Sequence, residues 1–422
     1  MNLLIFQGIF GFFAFLLIGW LLSENKKKMD WRLISTGVGL QVILAFVILK
    51  VSFVRAVFEK VSYGISKLKD ATVEGTSFVF GYLGGGKIPF AFADGKGVGD
   101  AFIFAFQPLP MIMVISALAM LLFHWGVLQF VVKGFSWALR KTLHVGGALG
   151  VCCAAKIFLG QTDAPLLIRP YMSKFSRSEL FTVMTAGMAT TSSTIMVLYA
   201  TILEKTIADP ISHILTASII SIPAAIVISR IMVPHEGENT TGDLVTPYRF
   251  SGSMDAVSQG ANDGMKLFLA IVAMLIVTLA LVALLNMILG VLPSWNDQPL
   301  TIQQILGVAL SPLAWLMGIP WEEAVHAGKL LGVKTALNEV VAFITLAGLP
   351  KQALSSHSDL IMTYALCGFA NFSSIGIQIG AIGGMVPDRR TEIISLSFKA
   401  LIAGTLASCM SGALVGLLHW LG

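Results

Sequence analysis

Long runs of apolar residues, each sufficient to cross a lipid bilayer, recur along the chain. A transmembrane helix needs about 20 apolar residues in a row, and eight stretches reach that length with few or no charges. The first has no basic segment before it, so we interpret it as a retained span and not as a cleaved signal. The pattern predicts an all-α integral membrane protein with eight transmembrane helices. These are residues 1–22, 33–54, 102–132, 181–203, 211–233, 267–292, 360–382 and 393–421.

Two further apolar regions are interrupted by polar residues. Residues 145–168 contain Lys156, Asp163 and Pro165, and residues 303–350 contain several charged side chains. Broken helices at membrane depth are tolerated where protein surrounds them, and the polar residues of each region gather in short stretches. The pattern favours two re-entrant helical hairpins, with amphipathic loops as the alternative.

Basic residues between the spans predict the orientation, because cytoplasmic loops are enriched in Lys and Arg. If both interrupted regions are re-entrant, four basic clusters share one side, and both termini face the periplasm. Residues 55–69 carry four basic residues on the other side, with apolar positions at helical spacing. We interpret them as an amphipathic helix along the membrane interface; the alternative is an error in the topology. The four clusters are Lys26, Lys27, Lys28 and Arg32; Lys133, Arg140 and Lys141; Arg169, Lys174 and Arg177; and Arg389, Arg390 and Lys399.

The composition excludes several classes of protein. Hydrophobic residues make up 56% of the 422 and charged residues 12%, whereas about a quarter of the residues in soluble proteins are charged. A soluble multidomain enzyme and a disordered protein are therefore excluded. The net charge of +5 is too small to indicate nucleic-acid binding. We find no paired set of metal ligands and no nucleophile elbow, so we expect no metal site and no cofactor.

Ionisable residues inside a membrane are costly, and they therefore indicate function. Residues 156–165 place Asp163 beside amide and hydroxyl groups, and residues 334–339 place Glu339 in a similar setting. Each string is followed by a span whose centre is rich in Ser, Thr or Asn. The two strings with their spans form a weak internal repeat, and under the predicted topology the two copies enter the membrane from opposite faces. Inverted repeats whose broken helices meet at the midplane are typical of secondary transporters.

These polar groups suit a neutral ligand with several hydroxyls. Carboxylates that accept hydrogen bonds from ribose-type hydroxyls form strong contacts, and no cluster of arginines is present to bind a phosphate. Phe369 and Phe372 are candidates to stack on a flat ring. The Ser and Thr residues at 190–194 have an alternative interpretation, as contacts between helices.

Four strings closely resemble those of the concentrative nucleoside transporter family: GQTDAPLLIRPY, NEVVAF, CGFANFSSIGI and EGTSFVFG. Their order and the chain length also resemble the family, and the similarity covers nearly the whole chain. The resemblance implies secondary active transport of nucleosides across a bacterial inner membrane, with membrane lipid around the protein. It also implies a homotrimer, in which each protomer moves a transport domain like an elevator against a trimeric scaffold.

The resemblance also assigns roles to single positions. The family usually has Glu at the position of Asp163, so the acid is kept but is one methylene shorter. The positions that match substrate contacts are Gln161, Thr162 and Asp163 for the base, Glu339, Asn371 and Ser374 for the ribose, and Ile195 and Phe369 for the apolar lining. The positions that match the ion-coupling site are Lys156, Leu159, Thr190 and Thr191.

Lys156 is where the chain departs from the family, because sodium-coupled relatives have Asn there. Three interpretations remain open. The ammonium group can replace sodium as a built-in cation, with proton coupling through Asp163 or Lys156 itself. It can reach the cytoplasmic face with little effect, or sodium can bind in a displaced position. We expect H+ as the coupling ion, with Na+ as the alternative.

Together these features predict an ion-coupled nucleoside symporter that works by alternating access and carries out no covalent chemistry. A carrier of another neutral polar metabolite is the alternative, and a membrane-embedded enzyme and a passive channel are rival classes. The predicted division is: residues 1–54, N-terminal spans; 55–101, interfacial helix and Gly-rich loop; 102–144, scaffold span and basic segment; 145–233, first hairpin and following spans; 234–264, cytoplasmic loop; 265–302, scaffold span; and 303–422, second hairpin and last two spans.

Overall fold

The computed structural model describes residues 2–90, 103–204, 206–245, 248, 250–293, 299–350 and 352–420. Every regular element in this part of the chain is helical and none is a strand, which confirms the all-α class. The α-helices are α1 (Asn2–Leu21), α2 (Trp31–Lys50), α3 (Ser52–Phe80), α4 (Met111–His124), α5 (Val127–Leu143), α6 (Gly147–Ala155), α7 (Asp163–Leu166), α8 (Arg169–Met172), α9 (Arg177–Ala189), α10 (Ser193–Leu203), α11 (Pro210–Met232), α12 (Ser253–Leu289), α13 (Ile302–Leu316), α14 (Trp321–Ala336), α15 (Glu339–Ala347), α16 (Ser356–Leu366), α17 (Phe372–Met385) and α18 (Arg390–Trp420); Gly81–Gly84 and Pro387–Arg389 form 3₁₀ helices.

Among the described residues, six helical segments are long and apolar enough to cross a membrane, or seven if a bent pair counts as one span. They include α1, α2, α11, α12 and the combined length of α9 and α10. The seventh predicted span is divided into two short helices, α16 and α17. The count of eight spans and two hairpins therefore stays a prediction.

The third apolar stretch, predicted as one span over residues 102–132, consists of two helices. Helix α4 ends at His124, and α5 leaves it at an angle of 76°. The chain turns at Gly126, whose φ of +77° is accessible mainly to glycine. Apolar composition continues across this turn, so the sequence pattern alone did not show it. The start of the predicted stretch, residue 102, lies outside the described residues.

The structure also gives other bounds than the sequence predicted for the amphipathic helix and the cytoplasmic loop. Residues 55–69 fall inside the longer helix α3, in which Thr72 and Thr76 are the buried residues. Helix α12 begins at Ser253, inside the segment 234–264 that was assigned to the loop. Polar residues occupy the first turns of α12, and they hid its start because the span was located by hydropathy.

Small residues bring α12 against α4. Ala256, Gly260 and Gly264 are the buried residues of α12 and repeat every fourth position, so they share one face of the helix. A Cβ atom at Gly260 would lie 2.6 Å from Ala117 Cα, and one at Gly264 would lie 2.6 Å from Met113 Cα. Such spacing of small residues allows close backbone packing inside membranes. The most apolar part of α12 contains no fully buried residue.

Two spans are broken near their centres. One break separates α9 from α10 at residues 190–192, and the other separates α16 from α17 at residues 367–371. The side chain of Asn371 accepts a hydrogen bond from Ser374 N (2.8 Å) and caps α17. Polar residues that bond to nearby backbone favour such helix ends.

The two regions predicted as hairpins contain α6 with α7 and α14 with α15. The second turns at Leu337–Asn338, where the Asn338 side chain accepts a hydrogen bond from Val341 N (3.0 Å). The region 303–350 contains a further helix, α13, which packs closely on α14. A Cβ atom at Gly328 would lie 2.3 Å from Gly307 O. The region is therefore longer than a simple hairpin.

An ion-pair network joins the ends of several helices on one side of the protein. Glu24, after α1, pairs with Arg177 at the start of α9 (2.9 Å) and with Lys399 of α18 (2.7 Å). On the opposite side, Lys69 of α3 pairs with Glu204 after α10 (2.5 Å). The basic residues of α3 thus lie at the other end of the broken span that starts with Arg177.

The ion pairs of Glu24 predict acid sensitivity. The hydrogen bond from Arg177, assisted by Lys399, lowers the pKa of Glu24 from 4.5 to about 2. A carboxyl group whose pKa is lower in the folded than in the unfolded state stabilises the protein at pH values above its unfolded-state pKa. That stabilisation is lost as the pH falls toward the folded-state pKa. We therefore expect Glu24→Gln to melt at a lower temperature than the unsubstituted protein in detergent at pH 7. The difference should shrink as the pH falls from about 4.5 to about 2.

The matched control is Glu238→Gln, which removes one negative charge from an exposed position in the loop after α11. Its melting temperature should follow that of the unsubstituted protein. A difference for Glu24→Gln that is absent at pH 7, or that does not change with acidification, would contradict the prediction.

Candidate functional site

A cavity of about 190 Å³ lies where the two hairpin tips and the two helix breaks meet. All the side chains predicted to contact substrate line this cavity: Gln161, Thr162, Asp163, Ile195, Glu339, Phe369, Asn371 and Ser374. They are far apart in the sequence, and the folding of the chain brings them together in one cavity.

The carboxylate of Glu339 is held by one hydrogen bond on each oxygen. Tyr199 Oη donates to Oε1 (2.7 Å), and Asn371 Nδ2 donates to Oε2 (2.8 Å). Glu339 is buried at the first position of α15, where the helix dipole favours a negative charge. Each carboxylate oxygen has a second acceptor direction, so the group can accept further hydrogen bonds from a ligand.

Asn371 has two tasks in this arrangement. Its Oδ1 accepts hydrogen bonds from Ser374 N (2.8 Å) and Ser373 Oγ (2.6 Å), while its Nδ2 donates to Glu339. The cap that starts α17 therefore also orients the carboxylate of the second hairpin. The amide orientation follows from this network, because only the NH₂ end can donate to a carboxylate.

The first hairpin contributes Gln161, Thr162 and Asp163. Gln161 Nε2 donates to Ser374 Oγ (3.2 Å), so the tip of the first hairpin contacts the helix break of the second repeat. Thr162 Oγ1 donates to Asp163 Oδ1 (3.1 Å). The two hairpin tips thus present one carboxylate each to the same cavity.

The predicted ion-coupling residues lie behind the cavity and do not line it. The side chain of Lys156 is 1% exposed, and its Nζ donates to the carbonyl oxygen of Gln161 at 3.4 Å. Leu159, Thr190 and Thr191 are also buried, and Thr190 Oγ1 donates to Ala186 O (2.7 Å). The ammonium group of Lys156 is therefore enclosed by the protein beside the tip of the first hairpin region.

Apolar side chains complete the cavity. Ile195 and Phe369 are each 7% exposed, and α12 contributes Leu267, Ala270, Ile271 and Met274. Phe372, expected as a second stacking ring, is 48% exposed and does not line the cavity. Phe369 is therefore the aromatic side chain of the described lining that can contact a ring.

Sequence reasoning missed two buried side chains of the site. Tyr199 holds Glu339 from α10, and Gln378 of α17 donates to Gln161 Oε1 at 3.3 Å. The only signal was a polar residue within an apolar helix, and that signal does not identify a partner. A second buried lysine, Lys334 of α14, is 1% exposed. Its Nζ donates a hydrogen bond to Ala365 O (2.8 Å), in the last turn of α16.

The site can bind a neutral, hydroxyl-rich molecule with a flat ring. It offers carboxylates and amides for hydroxyl groups and a mainly apolar wall for a ring. Within the described ranges no three His, Cys, Asp or Glu side chains come together to hold a metal ion. The described lining residues therefore suit reversible binding of such a molecule.

Three family models match most of the chain. The Na+ dependent nucleoside transporter N-terminus matches residues 10–83, and the corresponding C-terminus matches residues 213–416. Between them, a model described as nucleoside recognition matches residues 105–206. The hairpins and both broken spans fall within these matches.

Several individual proteins are similar over nearly the whole chain. The nucleoside permease NupC of Helicobacter pylori is 34% identical over 98% of this chain and 98% of its own. The sodium/nucleoside cotransporter 1 of Mus musculus is 33% identical over 99% of this chain and 64% of its own. The solved structure of CNTnw in an inward-facing substrate-bound state is 33% identical, covers 99% of both chains and has a TM-score of 0.90.

The contact between Tyr199 and Glu339 predicts a loss of stability on removal of one hydroxyl. In Tyr199→Phe, a buried carboxylate oxygen loses its described partner, which costs about 1–3 kcal/mol. We expect a lower melting temperature of the detergent-solubilised protein. Tyr63→Phe is the control, because Tyr63 is 66% exposed on α3. Equal melting temperatures for the two variants would mean that the Tyr199 hydroxyl does not stabilise the folded site.

Proposed function

Because the chain belongs to the concentrative nucleoside transporter family, we propose that it imports nucleosides across a bacterial inner membrane as an ion-coupled symporter. It is a multi-pass membrane protein and a transporter, not an enzyme. The observation that carries the proposal is the Glu339 carboxylate, fixed by Tyr199 and Asn371 in a cavity between two hairpins.

The two ends of the cavity suit the two parts of a nucleoside. Glu339, Asn371 and Ser374 accept and donate hydrogen bonds to the ribose hydroxyls, because a carboxylate binds hydroxyl groups strongly. Gln161, Thr162 and Asp163 contact the edge of the base. Phe369 and Ile195 line the ring between these groups. The absence of Arg and Lys from the lining residues favours an uncharged solute.

Another neutral polar metabolite is the alternative substrate, since hydroxyl recognition alone does not require a base. The amide and carboxylate at the first hairpin tip favour a nucleoside, because they offer partners for a ring with donors and acceptors. Competition of labelled uridine uptake by other nucleosides and by sugars distinguishes the two. Inhibition by sugars but not by nucleosides would replace the proposed substrate.

We propose that α4 and α12 belong to a trimeric scaffold and that both hairpins and the broken spans form the moving transport domain. The proposed division keeps the seven segments given above, except that α12 already begins at Ser253 within the loop segment. Two observations support it: α12 packs on α4 through small residues, and its apolar surface is otherwise exposed. An exposed apolar face on a span is available for contacts with lipid or with the other protomers of a homotrimer.

The proposed orientation places both termini in the periplasm. The ion pairs of Glu24 gather the loop after α1 and the starts of α9 and α18 at one end. Basic residues are concentrated in these segments, and basic segments mark the cytoplasmic side. Helix α3 then lies at the periplasmic end, where Lys69 meets Glu204.

We propose protons as the coupling ion, with sodium as the alternative. The buried ammonium of Lys156 donates to a backbone carbonyl of the first hairpin, which is the type of oxygen that coordinates sodium in broken-helix transporters. A tethered cation at this position leaves a proton on Asp163 or Lys156 as the transported charge. The family model and the mouse relative are named for sodium, which supports the alternative. In either case ion and solute must favour the same state for coupling to occur.

The direct test is labelled-uridine uptake into proteoliposomes, with proton and sodium gradients imposed separately. Accumulation driven by the proton gradient alone is the expected result. Accumulation driven by sodium alone would keep the nucleoside transporter and replace the coupling ion. Equilibration without accumulation under either gradient would indicate a passive channel, and chemical conversion of uridine would indicate an enzyme.

Replacement of Glu339 should weaken or abolish transport, depending on the acceptors that remain, without unfolding the protein. A hydrogen bond to a charged group contributes about 1.5–3 kcal/mol, so Glu339→Gln should raise the KM for uridine at least about tenfold. Glu339→Ala, which removes every acceptor, should leave no measurable uptake. Glu322→Ala is the control, because Glu322 is an exposed carboxylate on the same hairpin. Normal uptake by Glu339→Ala would refute the ribose-binding role.

Replacement of Lys156 should change the ion dependence. Lys156→Asn removes the ammonium group and restores the residue found in sodium-coupled relatives, so we expect sodium to stimulate uridine uptake in this variant. The exposed residue Lys174 provides the control variant Lys174→Asn. An ion dependence identical to that of the unsubstituted protein would show that Lys156 is not a substitute for sodium.

A further inference from the structure

Three polar side chains from the two repeats converge on one glycine. A Cβ atom at Gly187 would lie 2.7 Å from Gln378 Nε2, 2.9 Å from Lys156 Nζ and 3.2 Å from Gln161 Cβ. Gly187 is in the last turn of α9, next to the helix break. A side chain at this position would require Gln378 or Lys156 to shift, since real Cβ contacts are not so short. The junction places Gln378 of the second repeat beside both functional groups of the first hairpin.

Gln378 lies behind the cavity and contacts it through Gln161. Its side chain is fully buried at 0% exposure and is not among the lining residues. Its Nε2 donates to Met184 O (2.9 Å) and to Gln161 Oε1 (3.3 Å). A backbone carbonyl oxygen can only accept a hydrogen bond, so the Gln378 atom beside Met184 O must be the NH₂ nitrogen. Gln378 therefore presents a donor to Gln161.

Gln161 is consequently fixed at both ends of its amide. Its Oε1 accepts from Gln378, and its Nε2 donates to Ser374 Oγ. A primary amide has two N–H donors and two acceptor directions, so one of each remains for a ligand. Their order along the amide is set by Gln378, because a hydroxyl such as Ser374 can act as donor or acceptor and imposes no order.

We propose that Gln378 is a positioning residue for recognition of the nucleobase. It holds the Gln161 amide in one of its two orientations, so that the donor and acceptor meet the base edge in a fixed order. This inference rests on the proposed function, in which Gln161 contacts the base. Without Gln378 the amide can turn by half a rotation and exchange its donor and acceptor, and bases that present opposite patterns become similar ligands.

The carboxylate at the ribose end of the site is held by other side chains, and the hydrogen bonds from Gln378 reach that end only indirectly, through Gln161 and Ser374. Glu339 is held by Tyr199 and Asn371, and neither of these contacts Gln378 by a hydrogen bond in the described structure. The proposal therefore separates base selectivity from sugar selectivity. A residue that only supports folding would affect both, or neither.

The experiment is uridine uptake into proteoliposomes by Gln378→Met, with inhibition by two sets of competitors. One set varies only the base (cytidine, adenosine and inosine), and the other varies only the sugar (2′-deoxyuridine). Loss of one hydrogen-bond partner should raise the KM for uridine about tenfold with an unchanged maximal rate. The inhibition constants of the nucleosides with different bases should become more alike. The ratio of the inhibition constant of 2′-deoxyuridine to the KM for uridine should stay the same as in the unsubstituted protein.

Gln41→Met is the matched control. Gln41 is also a fully buried glutamine on a helix, and it donates to a serine, Ser411 (3.3 Å), away from the cavity lining. It should leave the KM and both sets of ratios unchanged. If Gln378→Met does not fold, Gln378→Leu is used, because it also removes the donor and adds no charge beside Lys156. It too should alter the base ratios alone.

Unchanged base ratios in a folded, transporting variant would overturn the inference and leave the proposed function intact. Equal changes in base and sugar ratios would also overturn it, since they indicate a general effect on the site. Failure of the unsubstituted protein to take up any nucleoside would refute the proposed function, and the inference with it.

Discussion

The carboxylate of Glu339 sets the main constraint on this protein, because an acid at membrane depth must have hydrogen-bond partners. Tyr199 supplies one from the first broken span, and Asn371 supplies the other from the second. Both repeats must therefore be folded and correctly placed before the acid is satisfied. The same contacts leave the carboxylate oriented toward the cavity, so the solution to a stability problem also prepares a binding group.

Polar and apolar contacts are divided between different parts of the molecule. The hydrogen bonds of the site run between the hairpins and the helix breaks, as between Gln161 and Ser374. Helix α12 faces the cavity only with apolar side chains, such as Leu267 and Ile271. Because apolar contacts have no preferred direction, a displacement of the hairpins past α12 would break no hydrogen bond at this wall. That division is compatible with the elevator motion proposed for the transport domain.

The candidate site was largely predictable because its residues are polar in an apolar chain. Asp163, Glu339 and Asn371 stand out for that reason, and the resemblance to a family added positions such as Ile195 and Phe369 that polarity does not mark. Tyr199 and Gln378 were missed. Each lies within an apolar helix, and the sequence does not reveal that one faces Glu339 and the other Gln161.

Composition and hydropathy alone determined that the protein is helical and lies in a membrane, since water would not tolerate so much apolar surface and a bilayer requires internally bonded backbone. Only the tertiary structure decided where helices bend, begin and meet. The turn at Gly126 and the start of α12 at Ser253 have little hydropathy signal. The convergence on Gly187 has none, because it depends on distances between residues far apart in the chain. The hydropathy pattern of a segment indicates whether lipid, water or protein surrounds it, whereas the geometry of a binding site depends on which other helices pack against that segment.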